Sequence, residues 1–420
     1  MRNDRRRDPR RAVVGLLAGS CLLFLHPGTG ALASPSAEPA VPSFEECLQG
    51  IASEARTRGV PQAVVARSLA GLLPDPDVIA ATRSQAEFVK PIWAYLDASL
   101  TEGRIADGRR KIEEWGTVLD AVERRFGVDR ATLVAFWGVE SSYGAVLDDP
   151  GVVRPVIRSL ATLSCGDPGR AGYWRDELAA ALQILAQGDA PPERFTGSWA
   201  GAMGHTQFMP TVYQAHAVDF DGDGRRDIWT SVPDALASTA NYLKAMGWRA
   251  GETWGTEAAL PESFDYALAD ESTPRTLSEW QGLGVRPARS GATPDGTTRA
   301  TLVLPAGARG PAFLIQPNFA VILRYNTALA YALTVAHLSD RLRGEPAFAR
   351  DWPRGDRALT ADERRDLQTR LTERGFAVGG IDGKVGPKTR AATRAYQASR
   401  GLIPDGYADP ALLERIRTAP

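Results

Sequence analysis

The sequence predicts a mainly α-helical protein with one small β-containing insert and a separate C-terminal module of three helices. Three observations carry that prediction. Apolar residues recur at helical spacing through most of residues 43–250 and again over 318–342. The stretch 250–315 is instead rich in Gly, Pro and Thr, with short apolar runs at 300–304 and 312–315. A charged segment with two prolines, 343–357, reads as a linker, and helical spacing resumes at 360.

A chain of 420 residues is long enough for two or three domains. Its 44% hydrophobic and 24% charged residues are those of an ordinary globular protein. With 49 basic and 50 acidic residues the net charge is −1, which points neither to nucleic-acid binding nor to a polybasic membrane patch.

The N-terminus has the pattern of an export signal over residues 1–33. Arg2, Arg5, Arg6, Arg7, Arg10 and Arg11 form a basic region, residues 12–25 an apolar run, and Ala31-Leu32-Ala33 a small-residue cleavage site. The apolar run is too short to span a membrane. Removing the signal takes six arginines and two aspartates, leaving 43 basic and 48 acidic residues and a net charge of −5. Arg10-Arg11 leaves twin-arginine export open beside the general route. Cys21, after Ala18-Gly19-Ser20, leaves lipoprotein acylation open as the less favoured alternative to cleavage at Ala33. No other segment approaches a membrane span, so a soluble periplasmic protein is expected. Two cysteines then remain, Cys47 and Cys165, and an oxidising compartment favours a disulfide between them over two buried thiols.

Residues 34–42 read as a Pro/Ala/Ser leader, expected to be flexible. Structure is expected to begin at Ser43, where Ser43-x-x-Glu46 is a capping box ahead of Phe44, Cys47, Leu48, Ile51 and Ala55. Further helical patterns fall around 61–72, 84–100, 108–126, 130–143, 173–187 and 233–246, and one helix is expected over 318–342. In the last unit, 358–420, Thr360-x-x-Glu363 is a second capping box. Leu367 and Leu371 form an apolar stripe, Asp382-Gly383 marks a turn, and helices follow at 389–397 and 410–416.

Residues 137–144, WGVESSYG, place a carboxylate in apolar surroundings. Phe136 and Trp137 stand four and three residues before Glu140 and share its helix face. Apolar neighbours disfavour a charged carboxyl and raise its pKa, and a carboxyl held protonated can give its proton to a leaving oxygen. Gly144 offers a left-handed stop after the helix. A buried glutamate paired with Arg124 or Arg125 is the plainer alternative. In GSWAGAMGHTQFMPTVY, 197–213, glycines permit close backbone approach, and Gln207 adds an amide beside Phe208 and Met209, a mixture suited to a sugar groove. In VDFDGDGRRDIW, 218–229, Asp219, Asp221 and Asp223 alternate ahead of Gly224 as in a calcium loop. The twelfth position is Thr230 rather than glutamate, so Asp227 or Asp234 would have to close the shell. Structural calcium and a metal-free turn both remain open. Along 318–338, Tyr325, Asn326 and Tyr331 interrupt an apolar helix.

Together these segments, from about Phe44 to Leu342, resemble the membrane-bound lytic transglycosylase B family of bacterial cell-wall enzymes. The resemblance implies a lysozyme-like α-helical catalytic domain over 43–342 with Glu140 as its single catalytic acid/base. It places Ser198 near that carboxyl and Gln207, Tyr242, Tyr325, Asn326, Tyr331 and Tyr95 in the sugar groove, with Trp93 close enough to compete for the last assignment. The Asp-rich stretch, with Asp219, Asp221, Asp223 and Asp234, resembles the family's, although the spacing to Asp234 is one residue longer. Leu367-Gln368-x-x-Leu371, the IDGKVGPKT run and Ala395-Tyr396-Gln397 resemble the small peptidoglycan-binding domain attached to many wall hydrolases.

The implied reaction cleaves the MurNAc–GlcNAc β-1,4 bond with no required cofactor. Glycosidases ordinarily need two carboxylates, but one suffices if the muramic acid 6-hydroxyl is the nucleophile, which leaves a 1,6-anhydromuramoyl end. Asp148 and Asp149 are the nearest second acids and fall on a segment that reads as a solvated loop. The expected partners are peptidoglycan glycan strands and other cell-wall enzymes. A lysozyme-type hydrolase is the alternative chemistry, and a non-catalytic wall-binding scaffold the alternative class. Four histidines without metal-ligand spacing argue against a zinc amidase or peptidase.

Overall fold

The computed structural model describes residues 42–82, 90–289 and 295–419. The expected signal, Cys21 and nearly all of the leader lie outside them, as does the start of the 84–100 pattern. Among the described residues there are seventeen α-helices and seven short strands, so the mainly helical expectation holds.

The helix Arg130–Ser141 forms the axis of the larger unit. Asp129 caps its first turn, and Ala131 to Gly138 are all buried. A helix apolar on every side can only be a core helix. It packs against Leu329–Leu342, itself buried at Ala330 to Ser339. Around this pair lie Glu102–Glu114, Val232–Ala245 and Pro317–Tyr325, while Val156–Gly166 packs on Ala171–Gln187, and the Ser43 capping box forms as its spacing predicts. Cys47 on Phe44–Thr57 and Cys165 on Val156–Gly166 are joined by a disulfide that spans 118 residues.

The strands are β1 (Arg154–Pro155), β2 (Thr196–Gly197), β3 (Gly255–Ala259), β4 (Arg275–Thr276), β5 (Arg286–Pro287), β6 (Arg299–Val303) and β7 (Ala312–Ile315). β1 and β2 pair by themselves and hold the start of the Gly-rich loop against the helical core. The other five form the β-containing insert, an antiparallel sheet in the order β4-β6-β7-β3-β5. Leu302 and Leu314 oppose each other on its inner face and pack on the fully buried Trp280.

Three segments differ from the sequence reading. The pattern over 108–126 falls on two helices, Glu102–Glu114 and Gly116–Phe126, that break at Trp115. The single helix expected over 318–342 is two helices, Pro317–Tyr325 and Leu329–Leu342, bent by 118°. Asn326 is extended between them, and its side-chain oxygen accepts the Ala328 N–H at 3.0 Å, a local turn that leads into the second helix. Among the described residues no single helix is long and apolar enough to cross a membrane. The segment read as a linker packs as a strap: Phe348 stacks on His337 at 3.7 Å and Trp352 lies 6.3 Å from Trp93. Glu257 accepts the Ala349 and Arg350 amides at 2.6 and 2.8 Å.

The last three helices, Ala361–Glu373, Pro387–Ser399 and Pro410–Thr418, enclose Leu367, Leu371, Tyr396 and Ile416. Two glutamines do the same work twice. The Gln368 amide clamps Asp382 and Gly383, and the Gln397 amide clamps Asp405 and Gly406. The module sits on the insert through a bidentate Arg390–Glu271 pair and the Ala308 N–H to Asp405 bond.

Candidate active site

The helix Arg130–Ser141 ends at Glu140 and Ser141, and the chain then turns through three consecutive left-handed residues: Ser142 at φ 50°, Tyr143 at φ 59° and Gly144 at φ 87°. The stop foreseen at Gly144 thus begins two residues earlier. Among the described residues only Ser142, Tyr143 and Gln207 carry positive φ without being glycine. All three belong to this site, and such strain persists only where surrounding contacts hold it. Tyr143 is held from both sides. Its hydroxyl donates to the Arg104 carbonyl at 2.9 Å, and its ring fills the space beside Gly138 and Gly108, where a Cβ would come within 2.6 and 2.5 Å.

Glu140 is half-buried, and its Oε1 accepts a short hydrogen bond from the Tyr331 hydroxyl. Tyr331 is buried, so its phenol is pushed well above its ordinary range, first by burial and then by the Glu140 charge. It therefore stays a donor. Tyr325 is raised for the same two reasons, and its hydroxyl donates to the Thr206 carbonyl at 2.6 Å. Tyr331, after the bend at Asn326, hydrogen-bonds the carboxyl, while Tyr325, before it, lies near enough to feel its charge. Tyr95 is near enough to Tyr331 to interact with it electrostatically, whereas Trp93 is buried against the strap.

A small cavity beside Glu140 is walled by Phe136, Trp137, His205, Thr206, Thr239 and Tyr325, with no second carboxylate among its lining residues. Asp148 and Asp149 are exposed, the latter accepting the Gly151 N–H at 2.8 Å. Ser198 and Gln207 are bonded within the Gly-rich loop itself. Ser198 Oγ accepts the Ala200 and Ala202 amides at 3.3 and 3.2 Å, and Gln207 Nε2 donates to the Gly204 carbonyl at 2.9 Å. Tyr242 stands one layer back: it is buried, donates to the Arg324 carbonyl at 2.8 Å, and supports Tyr325 edge-on at 5.1 Å.

On this helical core, with one carboxyl beside two buried phenols, the transglycosylase SLT domain model matches residues 43–340. The chain belongs to the transglycosylase SLT family. A peptidoglycan binding domain model matches residues 360–416. Membrane-bound lytic murein transglycosylase B of Escherichia coli (strain K12) is 36% identical over 234 residues, 53% of this chain and 60% of that protein. The chain therefore matches less than two thirds of that curated relative's length. The structure of SltB3 from Pseudomonas aeruginosa in complex with NAG-anhNAM-pentapeptide superposes with a TM-score of 0.84 at 46% identity, covering 90% of this chain and 100% of that one. The Escherichia coli lytic transglycosylase Slt35 in complex with calcium gives 0.59 at 28% identity, covering 71% and 92%.

In this SLT-family chain the Asp-rich loop brings Asp219, Asp221 and Asp223 together, with ligand atoms within 4.8 Å of one another. Asp234 is not one of that group. It is fully buried and accepts the Phe220 and Asp227 amides at 2.7 and 2.9 Å, and burial raises its pKa to about 6. Asp227 is likewise engaged with the Trp229 and Thr230 amides at 2.9 Å each. Three donors from one loop fit a hard oxygen-seeking cation, and the two carboxylates offered to close the shell instead hold the loop's backbone.

The sequence reading missed His205. It is buried, accepts the Trp137 indole N–H at 2.9 Å, and lies against Gly144. The signal was in plain view, a histidine inside the Gly-rich motif. Its partners stand 61 and 68 positions away, beyond the reach of local pattern.

Proposed function

We propose that the chain cleaves the MurNAc–GlcNAc β-1,4 bond of peptidoglycan by intramolecular transglycosylation, with Glu140 as the sole acid/base. The observation that carries this reading is the carboxyl at the end of the core helix, hydrogen-bonded by Tyr331 and set beside Phe136, Trp137 and Tyr325. Glu140 gives its proton to the bridging oxygen as the glycosidic bond breaks. The substrate's N-acetyl group steadies the positive charge at C1. The muramic acid 6-hydroxyl then bonds to C1, and Glu140, now a carboxylate, takes that hydroxyl's proton and is restored. No water is consumed, and proximity favours the attack because both partners share one ring. Tyr331 orients the carboxyl, while Tyr325, Gln207 and Ser198 line the approach.

Family membership and the SltB3 complexes with NAG-anhNAM-pentapeptide and NAG-NAM-pentapeptide support the substrate class. The C-terminal module would hold the glycan wall, and the work site would be the periplasm, after export by the N-terminal segment. The Asp219–Asp221–Asp223 cluster would hold calcium as a structural ion that stiffens the loop, with no part in the chemistry. Glu140→Gln tests the central step. It keeps shape and hydrogen-bonding reach but cannot cycle a proton, so sacculus solubilisation should fall by several orders of magnitude in a folded variant. Retention of a tenth or more of the activity, roughly, would assign the proton transfers to another group.

A further inference from the structure

We propose that His205 is a positioning residue, whose neutral imidazole holds the Trp137 indole and the left-handed Ser142–Gly144 turn and through them aims the Glu140 carboxyl. This rests on Glu140 being the acid/base. Four contacts converge on this one residue. Trp137 Nε1 donates to His205 Nδ1 at 2.9 Å, with the rings at 74° and 5.6 Å between centroids. Ser141 Oγ donates to the His205 carbonyl at 3.1 Å and accepts the Gly144 N–H at 3.2 Å. The ring lies so close to the turn that a Cβ on Gly144 would stand 2.3 Å from His205 Cε1. The His205 N–H donates to the Ile228 carbonyl at 2.9 Å, and a Cβ on the preceding Gly204, at φ 60°, would lie 2.4 Å from that same oxygen.

The residue is therefore anchored on the far side and grips the end of the core helix on the near side. Trp137 and Ser141 flank Glu140 at one helical turn before and one residue after. The acceptor role fixes the tautomer: Nδ1 carries the lone pair and Nε2 the proton. Burial lowers the imidazole to about pH 4, so it remains an acceptor through the neutral range. A phenylalanine would fill the same space but leave the buried indole N–H without a partner. The left-handed turn would then lose one of the contacts that hold its strain. An asparagine places an amide oxygen near the position of Nδ1 and should restore the grip.

The test compares His205→Phe, His205→Asn, Trp137→Phe and the His205→Phe/Trp137→Phe double variant by kcat and KM on soluble glycan strands, with thermal melts of each. A misplacement of about 1 Å at a reacting group costs on the order of a hundredfold, so His205→Phe should lose roughly 10- to 100-fold in kcat with KM within about threefold. His205→Asn should recover to within about fivefold of the starting protein, and the double variant should lose no more than the worse single one. Equal losses in the Phe and Asn variants, multiplicative losses in the double, or a His205→Phe kcat within about twofold of the original would overturn the proposal. If His205→Phe melts below the assay temperature, Trp137→Phe alone decides: it keeps a ring and removes the donor, and an unchanged kcat sinks the idea. The products of the unaltered protein are read separately. Water-derived ends there would sink the transglycosylation reading, while the His205 comparison would still report on Glu140-dependent cleavage.

Discussion

Replacing Cys47 and Cys165 by alanine removes a tie between the helices Phe44–Thr57 and Val156–Gly166 across 118 residues of chain. In the chain-entropy model a closed loop of that length lowers the entropy of the unfolded chain enough to stabilise the fold by about 5 kcal/mol at 25 °C. Unfolding entropy of about 2.1 cal/mol/K per residue gives ~0.6 kcal/mol/K for a unit of roughly 300 residues, so the midpoint should drop by about 8 °C. The direct cavity cost is small, because the two helices also touch each other and share one apolar core. The assay is thermal unfolding of the exported protein with and without reductant, paired with thiol titration in denaturant. The unreduced protein should show no thiols and the higher midpoint. Two free thiols before reduction, or midpoints within about 1 °C of each other, would refute the reasoning.

Other outcomes follow from the same contacts. Tyr331→Phe removes the hydroxyl that donates to Glu140 while keeping the buried ring, and hydrogen bonds to a charged group are worth about 1.5–3 kcal/mol, so kcat should fall roughly 10- to 100-fold. Asp148→Asn and Asp149→Asn, both exposed, should leave kcat within about threefold, and a loss as large as that of Glu140→Gln would point to a second catalytic acid. Deleting 358–420 should weaken sacculus binding but spare cleavage of small soluble strands, as measured by pull-down and by product yield. His337 is buried against Phe348 and pushed down to about pH 3. An unfolded histidine titrates near 6.5, so unfolding takes up a proton below that pH and stability falls as pH drops from about 6.5 toward 3. His337→Gln should flatten that part of a melting-temperature profile, and an unaltered slope would contradict the assignment.

What the sequence disclosed was local. The run from Leu133 to Glu140 can only be a buried helix bearing one acid, and the capping boxes at Ser43 and Thr360 mark their helix starts. Of the residues the resemblance named, Tyr331 and Tyr325 stand beside that acid. What it hid was set by distant partners. The bend at Asn326 looks like uninterrupted helix, because Asn and Thr do not forbid one, and only packing decides the 118° turn. Phe348 and Trp352 sit in a charged, proline-containing stretch, and nothing nearby announces that His337 and Trp93 await them. Asp234 has ligand spacing on paper, yet it faces the loop's amides from a buried helix start.

The central claim is that no water enters the cleaved bond, and the masses of the released muropeptides test it most directly. Sacculi digested with the unaltered protein should yield ends in 1,6-anhydromuramic acid, lighter by one water than the corresponding lysozyme products. Lacking a reducible end, they should keep their mass under borohydride. Products that gain two hydrogens under borohydride would mean that water attacked C1, and the lysozyme-type hydrolase would stand in place of the transglycosylase.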